Sequence, residues 1–229
     1  KATAMQVSPD SMLMDMGRVP AAELKEAVQA GRLDELPEGL AAAAAEAKDV
    51  LDSTRDPQLS DIVLDRWCYQ EMARVAEETG SAFLAGYVKI QIDAANLRSL
   101  VRTLRMGKSG DFLKTVLLEG GGVGADAVAA AGNSGSRQEL YGPTPLQAAA
   151  EAGAEALRGG SLTEFEKLCD DAVGEYLAGA QFVPFGEAPL LGYLAARETE
   201  YTNIRILLMG RGAGLPAEVI RSRLRNGYV

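Results

Sequence analysis

The sequence predicts an all-α fold of two similar helical lobes, and three observations lead to this prediction. The 229 residues are rich in Ala and Leu and only 6% aromatic, a composition that favours helices over strands. Apolar residues recur at steps of three and four from Phe83 to Leu104, which is the spacing of one face of a helix of about 25 residues. Finally, four sequence blocks of the first half return in the same order in the second half.

The offset between paired blocks varies slightly along the chain, a drift that loop insertions would produce. Each match alone is weak, but their common order predicts two homologous lobes, residues 1–112 and 113–229. We therefore expect Cys68 to match Cys169, and Asn96 to match Asn203. The paired blocks are 13–24 with 117–128, 40–45 with 146–150, 64–68 with 165–169, and 93–98 with 200–205.

Helix starts and stops can be placed within each lobe. A helix over 21–30 is predicted after Pro20, because proline suits the first turn of a helix. Gly80 and Gly107 are expected to end helices, since glycine adopts the left-handed conformation common there. The complete set of expected elements is helices 21–30, 38–52, 58–79 and about 83–107, an apolar stripe of Leu190, Leu194, Tyr201, Ile204 and Leu208 ending before Gly210, and loops at Gly120–Gly122 and Gly132–Ser136.

The net charge of −9 argues against a nucleic-acid groove, which requires a basic footprint. The charge is uneven, because segment 197–229 holds six Arg and three Glu, a net of +3, so the remainder carries −12. Two interpretations stay open for this basic segment: a solvated helical face, or a surface that docks on an acidic partner.

No apolar stretch is long enough to cross a bilayer, and the first residues lack a secretory signal pattern. Cys68 and Cys169 are isolated, and the chain contains no histidine. We expect both thiols to be reduced and buried, as in cytoplasmic proteins, and a disulfide between them is the less favoured alternative.

Several motifs suggest chemistry but do not satisfy its requirements. Residues 106–109 end like a phosphate-binding loop, yet Arg102 stands where that loop needs its first glycine, and a helix rather than a strand precedes it. Without histidine, serine or cysteine nucleophiles lack their common base. Asp170 and Asp171 are interpreted as an exposed helix face rather than a metal site. The sequence therefore predicts no catalytic residue, no cofactor, no metal and no nucleotide site.

Three arginines, Arg98, Arg102 and Arg105, fall on one face of the longest predicted helix. They form either a solvated stripe or a face for a partner.

The C-terminal stretch carries a specific pattern. Residues 195–205 read AARETEYTNIR, a Gly-Arg turn follows at 210–211, residues 214–221 read GLPAEVIR, and the last two residues are Tyr228 and Val229. This pattern resembles the signature of the C subunit of V/A-type rotary ATPases, called the d subunit in the eukaryotic enzyme. That signature is A-[KR]-E-x-E-x-x-N-[IL]-R, then Gly-[KR], G-L-P-x-E-x-I-R and a terminal Tyr-Val. Residues 185–190 also resemble the family's F-G-x-x-P segment.

The resemblance implies a non-catalytic coupling subunit. Members of the family have three similar helical lobes around a pseudo-threefold axis. They form a funnel that links the central stalk to the membrane proteolipid ring and transmits rotation for proton or sodium transport. The chain would correspond to the second and third lobes, lie at the cytoplasmic face of the membrane, and bind stalk subunits and the ring. The alternative is a helical scaffold or adaptor unrelated to rotary ATPases. The candidate structural or partner-binding residues are Arg197, Glu198, Glu200, Asn203, Arg205, Arg211 and Arg221.

Arg197 is placed by the repeat where the first lobe has Ile90, in the middle of the apolar stripe. Its side chain either extends to the surface or is held inward against Glu200 one turn away. We predict the inward orientation, because Leu194 and Tyr201 flank Arg197 on the same face.

Overall fold

The computed structural model describes residue 10, residues 13–134 and residues 137–227, and these ranges contain helices but no strand. The all-α prediction is confirmed. The α-helices are α1 (Ala21–Ala30), α2 (Glu38–Thr54), α3 (Pro57–Thr79), α4 (Ala82–Arg105), α5 (Gly110–Val116), α6 (Ala125–Ser134), α7 (Arg137–Tyr141), α8 (Gln147–Leu157), α9 (Leu162–Ala178), α10 (Glu187–Gly212) and α11 (Ala217–Arg223), and 3-10 turns occupy Leu33–Glu35 and Gly179–Phe182.

The helices begin and end where local sequence chemistry predicts. Pro20 directly precedes α1, and Gly80 follows α3 with a positive φ of 69°. Ser81 caps α4, because its hydroxyl accepts a hydrogen bond from the Leu84 N–H. Gly107 follows α4 with a φ of 65°, as expected for a glycine at a helix end.

The positions and lengths of several helices follow the same repeat as the sequence. Helices α1 and α6 have the same length and begin at paired positions of the first repeated block. Helices α5 and α11 also have equal lengths, and each begins equally far beyond its paired asparagine, Asn96 or Asn203. The division into lobes 1–112 and 113–229 stays a prediction. By packing, the chain forms two compact units, residues 1–71 and 72–229.

In the first unit, α2 and the beginning of α3 pack through small side chains. Ala43 and Ala47 of α2 are buried, and the Ser60 hydroxyl on α3 donates to the Ala47 carbonyl at 2.8 Å. Cys68 is free and exposed, so the prediction that both thiols are buried is wrong for this one.

In the second unit, α4 is the central helix of a bundle that includes α6, α8 and α9. Its residues Leu97, Leu100 and Val101 are fully buried against Phe165 and Cys169 of α9, among others. The apolar stripe predicted for this helix therefore lies in a core made largely by the second half of the chain.

One predicted helix end, at Gly210, and one predicted loop, beginning at Gly132, are wrong. Close packing explains both differences. Gly210 lies inside α10 rather than at its end. A Cβ there would lie 2.8 Å from the Ile220 side chain, so glycine lets α11 pack closely. Gly132 lies within α6, where a Cβ would meet Leu113 at 2.7 Å; residues 135 and 136 of that predicted loop fall outside the described ranges.

Candidate docking surface on the last two helices

Asn203 of α10 clamps the segment that follows α11. Its side-chain amide donates to the Arg225 carbonyl at 3.0 Å and accepts from the Arg225 N–H at 2.8 Å. Asn96 of α4 does the same with Leu118, with both hydrogen bonds at 2.8 Å. Of the candidate residues, Asn203 therefore has a clear structural role; the terminal Tyr228 and Val229 of the signature lie outside the described residues.

Asp170 and Asp171 hold the same C-terminal segment. Asp170 accepts from the Arg225 guanidinium at 2.7 Å. Asp171 is only 5% exposed and accepts from the Asn226 N–H at 2.9 Å and from Lys167. The interpretation as an exposed helix face is wrong for Asp171, whose backbone partner Asn226 lies 55 residues further along the chain. It is correct for Asp170, because 45% of that side chain is exposed although it pairs with Arg225.

The arginine stripe of α4 contacts acidic residues of α9. Arg98 binds Glu166 at 2.9 Å and also pairs with Asp170, while Arg102 binds Glu166 at 2.8 Å. At least these two arginines form neither a purely solvated stripe nor a free partner face. Cys169 lies beneath them, and burial raises the pKa of its thiol to about 12.

Arg197 contradicts the predicted inward orientation, since 43% of its side chain is exposed. Its predicted partner is correct, because it forms an ion pair with Glu200 one turn away. The guanidinium also lies over the Tyr201 ring, 5.2 Å from the centroid. The hydrogen bond to the Tyr201 hydroxyl and the charge of Glu200 raise the pKa of Arg197. A surface orientation is available because the whole surrounding face of α10 is exposed.

The apolar stripe of α10 is exposed, unlike its counterpart on α4. Leu190, Leu194, Tyr201, Ile204 and Leu208 are between 43% and 67% exposed. Large apolar patches on a surface often mark sites where a partner binds. The repeat correctly placed an apolar stripe on this helix, but on α10 the stripe faces solvent, whereas on α4 it lies in the core.

The charged candidates on these helices also face solvent. Glu198, Arg205, Arg211 and Arg221 are exposed, and none of the three arginines has an ion-pair partner within the part of the chain that the structure describes. The three arginines therefore give α10 and α11 exposed positive charges.

Two exposed aromatic residues precede α10. Phe182 and Phe185 are 82% and 84% exposed. At the first residue of the helix, the Ser81 hydroxyl donates to the Glu187 carboxylate, which lowers the pKa of that carboxyl. The segment entering α10 is thus tethered to the start of α4 while its aromatic side chains stay accessible.

Asp93 is a structural residue that the sequence did not reveal. Its buried carboxylate accepts from the N–H groups of Gly122 at 3.1 Å and Val123 at 2.9 Å. A Cβ at Gly121 would lie 2.3 Å from this carboxylate, so the glycine run provides room for it. Burial raises the pKa of Asp93. The glycine run was the available indication, since such runs often allow a close approach to the backbone.

Within the described ranges, no group of three or more Cys, Asp or Glu side chains could hold a metal ion. Among the helices in those ranges, none is long and apolar enough to span a membrane.

The family described as ATP synthase (C/AC39) subunit matches residues 1–223. The C subunit of the V-type sodium ATPase of Enterococcus hirae is 27% identical over 211 residues, covering 90% of this chain and 63% of that protein. The C subunit of the A-type ATP synthase of Methanocaldococcus jannaschii is 26% identical (93% of this chain, 57% of that protein), and that of Haloferax volcanii is 30% identical (93% and 60%). The chain thus spans about 60% of the length of these relatives. No solved structure matches it.

Proposed function

Because the chain belongs to the ATP synthase (C/AC39) subunit family, we propose that it is a non-catalytic coupling subunit of a V/A-type ATPase. In this role it links the central stalk to the membrane proteolipid ring and transmits rotation for proton or sodium transport. Its place is at the cytoplasmic face of the membrane. The family match leaves the alternative, a scaffold unrelated to rotary ATPases, without support.

The observation that carries the proposal is where the family signature lies on the molecule. The signature covers α10 and α11, and its arginines Arg211 and Arg221 face solvent. Side chains that serve internal packing are buried, whereas exposed charged side chains are available to a partner. The basic surface fits an acidic region of a stalk or ring subunit.

A coupling role also fits the rigid construction of the second unit. The α4 helix is held by a continuous apolar core and by ion pairs to α9, and regions with many buried apolar contacts are those in which local unfolding is least favourable. Torque transmission requires no proton transfer and no bound nucleotide. We therefore expect no hydrolytic activity from the isolated chain.

Binding to purified stalk subunits and to the proteolipid ring tests the coupling role. Affinity should fall as ionic strength rises from about 0.01 M to about 0.15 M, because salt screens exposed charges. Replacing Arg211 and Arg221 by Glu should weaken binding by roughly tenfold or more. Arg158→Glu is the control for charge reversal elsewhere on the surface, since Arg158 is also exposed but lies outside α10 and α11. The proposal requires binding to both partners, so absence of binding to either the stalk subunits or the ring would contradict it.

Calorimetry with ATP tests the non-catalytic part separately. A dissociation constant for ATP in the micromolar range, which corresponds to roughly −8 kcal/mol, would refute the non-catalytic role even if the chain bound the stalk.

A further inference from the structure

An open groove of about 770 Å³ lies between the start of α9 and helix α11. One side is formed by the first residues of α9, and the other by α11 and the segment that follows it. Both sides belong to the same compact unit, residues 72–229. The shape of the groove therefore depends only on contacts within this unit.

Two arginines of the groove lack a carboxylate partner. Arg221 and Arg223 of α11 line the groove and are exposed, and neither forms an ion pair within the described part of the chain. Lys167 on the facing helix pairs with Asp171, but an ammonium group has three donor hydrogens and can bind a further acceptor. Glu164 is the single carboxylate among the described lining residues. The unpaired charge of the groove is therefore positive and favours an anionic ligand.

The two sides of the groove are fixed relative to each other. Arg225, in the segment after α11, pairs with Asp170 of α9 at 2.7 Å, and the Asn226 N–H donates to Asp171 at 2.9 Å. Asn203 of α10 binds the backbone of Arg225 through two further hydrogen bonds. Binding in this groove therefore does not require the ordering of either side, which lowers the entropic cost of association.

Apolar side chains lie between these charges. Leu168 of α9, Val219 of α11 and Leu224 directly after it line the groove, and Val219 is 37% exposed. A phosphate ion would use the arginines alone, whereas a peptide with acidic and apolar side chains would use both kinds of surface. Helix α11 has seven residues and is about 10 Å long. An extended peptide covers this length with three to four residues, at about 3.3 Å each.

We propose that this groove binds an extended acidic segment of a partner protein. Carboxylates of the segment bind Arg221 and Arg223, and an apolar side chain between them packs on Leu168 and Val219. Guanidinium groups suit this ligand, because they bind carboxylates through two parallel hydrogen bonds. The proposal deepens the proposed function and rests on it in one respect, namely that the partner is another subunit of the rotary complex.

Fluorescence anisotropy with short peptides tests the groove on the full chain. The probes are labelled octapeptides of glutamate and leucine in several spacings, and the control peptides carry glutamine in place of glutamate. The acidic peptides should bind with a dissociation constant below about 1 mM, and the glutamine peptides about tenfold or more weakly. Serine in place of leucine should also weaken binding several-fold, because the apolar contacts are lost.

Charge reversal places the peptide on the molecule. Arg223→Glu should weaken peptide binding by about tenfold or more, since it puts a negative charge into the groove. Lys114→Glu makes the same change of charge at an exposed cation of α5 that lies outside the groove and has no ion pair among the described residues. It should alter the affinity by about twofold or less at about 0.15 M salt, because salt screens charges that do not contact the peptide.

Hydrogen exchange locates the site independently of any substitution. Bound peptide should slow exchange at the start of α9 and in α11, and circular dichroism verifies that both variants are folded. Equal losses of affinity in Arg223→Glu and Lys114→Glu would overturn the proposal, because the peptides would then respond only to the overall charge of the protein. Binding of inorganic pyrophosphate at these arginines without binding of any peptide would also overturn it.

A second copy of the chain is the remaining occupant to test. Self-association that Arg223→Glu abolishes would overturn the proposal, since the groove would then hold another copy. Absence of binding by every acidic peptide would overturn it as well but would leave the coupling role intact, because that role is tested with whole stalk subunits and the ring. Loss of stalk and ring binding with peptide binding retained would contradict the coupling role and leave the groove assigned.

Discussion

Asn96 and Asn203 bind the backbone of the residue 22 positions downstream in the same way, through one donated and one accepted hydrogen bond. The two clamps differ in burial, because Asn96 is fully buried and Asn203 only partly. In each repeat the clamp fixes the chain after a short helix. The same contact should therefore contribute differently to stability at the two places.

Asn96→Ala should lower the free energy of unfolding by roughly 2–4 kcal/mol, because it leaves the buried N–H and C=O of Leu118 without partners. Asn203→Ala should cost about 1 kcal/mol, since water can reach the peptide groups of Arg225. Urea unfolding followed by circular dichroism measures both, with the exposed Asn226→Ala as control. Equal losses for Asn96 and Asn203 would show that burial does not determine the effect.

Arg197→Ala should cost less than about 1 kcal/mol, because exposed ion pairs contribute little. An inward pair would instead cost roughly 3–5 kcal/mol when one partner is removed. Thermal or urea unfolding of Arg197→Ala and Glu200→Ala distinguishes these cases. A loss above about 2 kcal/mol in either variant would mean that the pair is shielded from water in solution.

The sequence predicted the helices well because their determinants are local. Pro20, Gly80 and the three- and four-residue steps of α4 act within one or two turns, and the bounds agree within a few residues. The internal repeat also placed Asn96 and Asn203 correctly as equivalent positions.

The sequence did not predict whether the apolar face of each helix is buried or exposed. Periodicity shows that a helix has an apolar face but not what covers it, so α4 and α10 looked alike although one is buried and the other exposed. The same limit explains Asp171, whose partner Asn226 lies 55 residues away. Contacts at such separations leave no periodic trace in a single sequence.

Asp93 should make stability depend on pH. Burial raises its pKa in the folded state above the ordinary 3.8, so the folded protein binds this proton more readily than the unfolded chain. The contribution is fully present below pH 3.8 and is lost as pH rises through the raised pKa. Asp93→Asn lacks this titration, so the stability of wild type relative to the variant should fall over that range.

Urea unfolding at a series of pH values from about 3 to about 7 measures this difference. Asp111→Asn, at an exposed position on α5, is the control for general charge effects. A difference between wild type and Asp93→Asn that stays constant with pH would contradict the burial of this carboxylate.

The two thiols should react at very different rates. Cys68 is exposed, whereas Cys169 is buried and has a pKa of about 12, so almost no thiolate is available at neutral pH. Mass spectrometry after alkylation of the folded protein should find one modified cysteine, and two in denaturant. Rapid modification of Cys169 in the folded state would mean that α4 separates readily from α9.

Gly153 and Gly174 offer a matched test of the packing around α4. Both lie inside helices, but a Cβ at Gly153 would lie 2.9 Å from the Val101 side chain and 3.2 Å from Phe165, whereas nothing lies within 4 Å at Gly174. Gly153→Ala should therefore destabilise the protein by roughly 1–3 kcal/mol through overpacking. Gly174→Ala should stabilise it by about 0.5–1 kcal/mol, since alanine loses less entropy in a helix. Unfolding midpoints that move in the same direction for both variants would show that α8 does not pack against α4 as closely as these distances require.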